Sequence, residues 1–163
     1  NNSDAFDKTY YALLAGKIDK EITVDKKIST QTNEYGFNNN KRIISEQGKT
    51  AVTHIFPIQY YENSSDFLTN AGTTFSFDDL LVKPEVYTLC KIKIEHGRTH
   101  QIRVHSAYIA HPLLGDTVYG NESSLIKHSA LLCKEICFIH PITKEAMQIE
   151  CDFPQDFKSL INL

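Results

Sequence analysis

The chain has 163 residues, 41% of them hydrophobic and 23% charged, which is apolar material and length for one globular domain and excludes a disordered or fibrous chain. Its net charge is -3 and its pI about 6.2, so bulk charge cannot hold a nucleic acid and any such partner must be met by a local basic surface.

KTYYALLAGKI over 8–18 is rich in tyrosine and aliphatics and ends at turn-prone Gly16, which predicts a strand buried on both faces. From Ser29 to Gly48 apolar residues are few, and Asn38-Asn39-Asn40 reads as a loop. GKTAVTHIFPIQYY over 48–61 restores β-branched and aromatic alternation and predicts a second strand. The polar stretch ENSSDFLTNAGTTFSFDDL separates it from VYTLCKIKIE over 86–95. In that third strand Cys90, Ile92 and Ile94 face one side, and Lys91, Lys93 and Glu95 the other. After Gly97 the period changes. THQIRVHSAYIA puts Ile102, Ser106 and Ile109 on one helical stripe and Thr99, Arg103, Ala107 and Ala110 on the next, with Pro112 as a stop. ICFIHPITKEAMQIECDFP predicts a hairpin across Pro141 to Lys144. There is no internal repeat and no low-complexity linker.

Four cysteines, Cys90, Cys133, Cys137 and Cys151, form no C-x-x-C pair and no dense framework, which favours free thiols over disulfides. No apolar run approaches the length of a bilayer span and the opening residues do not read as a signal peptide, so the expectation is a soluble, cytoplasmic protein without a membrane partner.

The chemistry is concentrated between residues 95 and 120, which hold four of the seven histidines together with Arg98 and Arg103. Both arginines fall at or near the start of the expected helix, where the macrodipole disfavours cations by roughly 0.3–1 kcal/mol. An anion is therefore expected beside them, and a carboxylate from elsewhere in the fold or an RNA phosphate would serve equally. His96 and His100 have four-residue spacing, but no H-E-x-x-H or cysteine-rich set accompanies them. The histidines are expected to order the turn by hydrogen bonding, with no metal. Taken alone, Tyr10 reads as a core strand tyrosine and Asp116 as a turn residue.

Gly97-Arg98-Thr99-His100-Gln101-Ile102-Arg103-Val104-His105, followed by His111-Pro112 and by Gly115-Asp116 with Tyr119-Gly120, resembles the signature of the RluA-type pseudouridine synthases. The resemblance extends upstream through Lys8-Thr9-Tyr10 with Ala12 and Gly16, and through Gly48-Lys49 with Ala51 and Thr53. Downstream it takes in His140-Pro141 and Phe153-Pro154 with Asp156-Phe157. It implies an α+β fold, a mainly antiparallel mixed sheet with a few helices. The implied activity is isomerisation of uridine to pseudouridine in structured RNA, rRNA or tRNA, with no cofactor and no metal. An aspartate carboxylate would attack the target nucleotide, which must be flipped from its stack to be reached. By motif matching, Arg103 takes the place of the family's basic residue that pairs with this aspartate, and Tyr10 that of the active-site tyrosine lying against the target base. Arg98, Lys91 and Lys93 are expected to form the RNA-binding patch, with closure of the turn as the alternative use of Arg98.

In two places the chain departs from the family pattern. The family's His-Arg-Leu-Asp stretch, which carries the nucleophile some tens of residues before the tyrosine, has no counterpart: nine residues precede Tyr10 and the sequence contains no His-Arg pair. Where many members have a Leu-His-Ala triplet, Leu132 is followed by Cys133. Residues 1–163 are therefore expected to be the C-terminal portion of a synthase catalytic domain, inactive alone, with a naturally shortened RNA-binding relative as the alternative. Half a sheet would expose apolar edges, which makes chain–chain contact an expectation as well.

Overall fold

The protein's structure, a computed structural model, describes residues 6–32, 38–63 and 85–162. Strand β1 (Asp7–Ala15) has aliphatic residues at both parities, and a strand can bury both only in the middle of a sheet covered on two faces. It lies between β6 (Glu85–Ile94) and β7 (Leu131–Ile139) in a six-stranded sheet of order β2-β5-β6-β1-β7-β8, in which β2 is Ile22–Asp25, β5 Val52–Asn63 and β8 Ala146–Glu150. Every described pairing is antiparallel. Ala12 and Leu14 join Ile55, Cys90, Ile92 and Ile102 in a core on one face. On the other face Leu13 joins Tyr87, Leu89 and Phe157. The α+β class with an antiparallel sheet and helices is thus as expected.

Helix α1 (Gln101–Tyr108) covers the first face, burying Ile102 and Ser106 along one stripe. It ends well before Pro112, at Ile109, with Ala110 in the left-handed region. Helix α2 (Gln155–Leu160) covers the second face through Phe157. This helix is not evident in the sequence, because a six-residue element offers too few turns for a helical period to register. Pro57 fits inside β5 because β2 pairs only with Val52–Ile55, and a register shift between Pro57 and Gln59 absorbs the missing donor. The hairpin expected across Pro141 to Lys144 is present between β7 and β8. Outer strand β8 is exposed along its length, Met147 and Ile149 included.

One expectation is corrected. Asn38-Asn39-Asn40 is no loop but the start of β4 (Asn38–Ile44), which pairs with β3 (Ile28–Thr32) as a separate two-stranded ribbon. Ladder hydrogen bonds come from the backbone and do not require apolar side chains at the far end. The ribbon is pinned at its near end, where Ile28 and Ile44 pair and pack with Ala51, Val104 and Tyr119. Most of the polar stretch expected to separate β5 from β6 lies outside the described residues.

Gly115 is needed for two reasons. Its φ is +70°, and a Cβ there would lie 2.3 Å from the His128 carbonyl oxygen. Gly115→Ala should therefore cost about 1–3 kcal/mol through overpacking alone, readable as a lowered denaturant midpoint. An unchanged midpoint would mean that the 113–130 segment yields freely.

Candidate active site

α1 opens without a side-chain cap. His100, at the N-cap, sits at φ 57°, a left-handed conformation costly for a residue with a Cβ. It is held by neighbours rather than by local preference. The His100 ring stands edge-on to Tyr119, and its Nδ1 lies 2.9 Å from the Tyr119 hydroxyl. That hydroxyl accepts the backbone N–H of Arg42 at 2.8 Å. Burial, with the Arg103 and Arg42 charges, pushes the His100 pKa down, so the ring is neutral and the tyrosine donates to it. Gln101, also buried, accepts from the Arg98 N–H and donates to the Val52 carbonyl and Thr53 hydroxyl, fastening the turn to β5.

Arg103, one turn into α1, makes the strongest polar contact of the region. Its Nε donates to Asp116 Oδ2 and its Nη2 to Asp116 Oδ1, both at 2.7 Å. Its guanidinium also lies 5.0 Å from the Tyr119 ring centroid. The anion expected beside the arginines is thus, for Arg103, a carboxylate from the fold itself. Asp116 is wholly buried and Arg103 is 19% exposed. Burial alone would raise the Asp116 pKa; the Arg103 hydrogen bonds and the N–H groups of Tyr119 and Val118 outweigh it and hold the carboxyl below its usual range. With both oxygens committed, Asp116 is a clamp rather than an available nucleophile. The Nη1 of Arg103 has no partner among the described residues.

Tyr10 is half-buried on β1, packed against the core that contains Ile92 and Ile102, the residue beside Arg103. A β-bulge between Thr9 and Tyr10 sets it opposite Cys133 on β7. Burial, with the Cys133 thiol adding, pushes the Tyr10 phenol up, so its resting form is the neutral hydroxyl. Burial likewise pushes Cys133 up and keeps it a thiol. Cys133 on β7 thus meets the tyrosine. All four cysteines are free.

His105 is fully buried. Its Nε2 lies 2.9 Å from the Lys26 carbonyl and its Nδ1 2.8 Å from the Thr53 hydroxyl. A carbonyl only accepts, so Nε2 carries the proton and Nδ1 accepts from Thr53. Burial pushes the His105 pKa down against the opposing pull of the Lys26 carbonyl and Asp25. The fold therefore favours the neutral ring. This stabilisation is present above the unfolded histidine pKa of about 6.5 and is lost as pH falls below it. Thermal stability should drop between about pH 7 and 5, and His105→Gln should flatten that drop. An acid limb of equal slope in the variant would remove His105 from the account. His111 Nδ1 is likewise engaged, with the Ala15 carbonyl at 2.7 Å. No group of three or more metal-ligating side chains converges among the described residues.

The structure gathers Arg103, Asp116, Tyr119, His100 and Gln101 around the start of α1, with Gly115 and Gly120 shaping the loop beneath. Gly120 closes that loop through its N–H to the Asp116 carbonyl, and a Cβ on it would meet Pro112 at 2.7 Å. Arg98, Lys91 and Lys93 are not gathered into one patch. Strand alternation turns both lysines to the face of Leu89, away from Ile92 and α1, and Lys93 is ion-paired with Asp7 at 2.8 Å. Arg98 faces a different neighbour, Arg42, across a cleft also lined by Thr99 and Lys49. Arg42 went unnoticed in the sequence because it sits in the asparagine-rich stretch read as a loop.

Residues 1–108 match the family model described as RNA pseudouridylate synthase. The chain is 34% identical over 155 residues to the Uncharacterized RNA pseudouridine synthase YjbO of Bacillus subtilis, covering 94% of this chain and 45% of that protein. It is 31% identical over 169 residues to the Ribosomal large subunit pseudouridine synthase D of Haemophilus influenzae, covering 95% of this chain and 44% of that one. The chain thus spans less than half the length of either relative. Among solved structures, Human RNA Pseudouridylate Synthase Domain Containing 1 superposes with a TM-score of 0.67 at 22% identity, over 95% of this chain and 57% of that one, which is a likeness of fold. The chain belongs to the RNA pseudouridylate synthase family.

Proposed function

We propose that this chain carries the arginine and tyrosine of a pseudouridine synthase active site, acting on uridine in structured RNA, rRNA or tRNA, in the cytoplasm and without cofactor or metal. The observation that carries this reading is Arg103: two of its nitrogens are fixed by buried Asp116, and its Nη1 has no partner among the described residues. A guanidinium oriented in this way can hold a second carboxylate in its ionised, nucleophilic form. In this reading that carboxylate is the aspartate of a His-Arg-Leu-Asp segment, which the 163 residues do not contain. It attacks the ribose and the glycosidic bond breaks; the freed uracil turns and rejoins through carbon 5, displacing the carboxylate, while carbon 5 loses its proton and nitrogen 1 gains one. Tyr10 lies against the base and, as a neutral phenol, takes part in proton transfer through its hydroxyl.

The test is pseudouridine mapping in a pool of rRNA and tRNA treated either with the 163-residue chain or with a form extended by a His-Arg-Leu-Asp segment. Conversion by the extended form alone is the expected result. Equal conversion by the short chain would place the nucleophile within residues 1–163 and refute the assignment.

A further inference from the structure

We propose that the cleft between the β3–β4 ribbon and the Gly97–Thr99 turn is a phosphate subsite for the RNA backbone, formed by Arg42, Lys49 and Arg98. This rests on the reading that the protein acts on RNA. The cleft has a volume of about 420 Å³, and its lining combines three cations with Thr30, Gln47 and Thr99 as polar partners and, among the described residues, includes no acidic one. In a chain of net charge -3 such a local excess is the kind of surface a polyanion needs.

Three observations point to a ligand here. The Nε of Arg42 is buried without a hydrogen-bond partner, although Nη1 of the same guanidinium donates to the Thr30 hydroxyl. A buried donor left unmade is costly, and an incoming phosphate oxygen would satisfy it. The Nε of Arg98 is anchored on the Thr50 carbonyl at 2.9 Å, which aims the guanidinium while its terminal nitrogens have no partner among the described residues. Gly97 has no positive φ, and a Cβ built on it meets nothing within 4 Å. Neither backbone conformation nor packing within the chain accounts for a glycine there, whereas close approach of a ligand does. Gly48, on the opposite wall, is fixed by the fold instead: its Cβ would lie 2.5 Å from the Ile28 backbone.

The cleft is coupled to the candidate active site. The Arg42 N–H holds the Tyr119 hydroxyl, and the Tyr119 ring lies against Arg103. A strand clamped by its phosphates here would thus be positioned relative to Arg103 without touching it.

The experiment measures binding of a fluorescently labelled, uridine-containing stem-loop RNA across a salt series. Wild type is compared with Lys49→Gln/Arg98→Gln, the triple variant that adds Arg42→Gln, Gly97→Ala, and Lys144→Gln on the distant β7–β8 turn, with circular dichroism to verify folding. The triple variant should lower the slope of log affinity against log salt by roughly 2–3, and the double variant by roughly 2. Gly97→Ala should weaken binding with no loss of thermal stability, and Lys144→Gln should match wild type. Should the triple variant not fold, the double variant decides the matter. If wild type binds with a salt-dependent slope and the folded variants match it, the subsite is wrong while the RNA reading stands; an equal loss in Lys144→Gln also overturns it. Absence of RNA binding by wild type would overturn both.

Discussion

In the form extended by the His-Arg-Leu-Asp segment, replacing Arg103 with alanine should abolish uridine conversion and also weaken the fold. The substitution leaves buried Asp116 ionised and without its cation, a loss of about 3–5 kcal/mol for a broken buried pair. The bidentate contact to Asp116 is the source of the destabilisation. The two effects can be separated. The double variant Arg103→Met/Asp116→Leu removes both charges at similar volume and should recover part of the stability, less what the Val118 and Tyr119 N–H groups lose with their acceptor, without recovering activity. A double variant that turned over at the wild-type rate would reduce Arg103 to a structural role.

In the extended form, Tyr10→Phe keeps the ring area proposed to lie against the base and deletes the hydroxyl, which burial holds protonated. If that hydroxyl handles a proton, turnover should fall by about 10²–10⁴-fold while RNA affinity stays level. Single-turnover rates at saturating enzyme make the distinction. Equal rates in the two forms would leave Tyr10 as packing, the reading a lone strand tyrosine invites.

Much of this architecture was legible in the residues. β1, β5, β6, α1 and the β7–β8 hairpin each carry a hydrophobic period long enough to register, and Lys91 and Lys93 already alternate away from Ile92 in the sequence. That alternation by itself forecasts their separation from α1. β4 was not legible, because its opening asparagines carry no period and its pairing is made by the backbone. The loss of β4 hid Arg42, and with it the cleft. An anion beside Arg103 followed from the unfavourable position of a cation near a helix start. Its identity as Asp116 did not, since the intervening turn at Pro112 gives no angular relation between residues thirteen apart. The left-handed His100 is tertiary in origin: Tyr119 holds the ring, and nothing in Thr99-His100-Gln101 announces it.

On the proposed function Arg103 holds the nucleophilic carboxylate for the isomerisation of uridine, and the rejoining of uracil to ribose must expel the proton on carbon 5 of the base. The most direct measurement is release of tritium from RNA labelled at uridine carbon 5, using the protein extended by the His-Arg-Leu-Asp segment and its Arg103→Met/Asp116→Leu variant, both checked for folding. Steady release is expected from the first and none above background from the folded variant. Release at equal rates, or none from the extended wild type on an RNA pool containing its substrate, would contradict the proposed function.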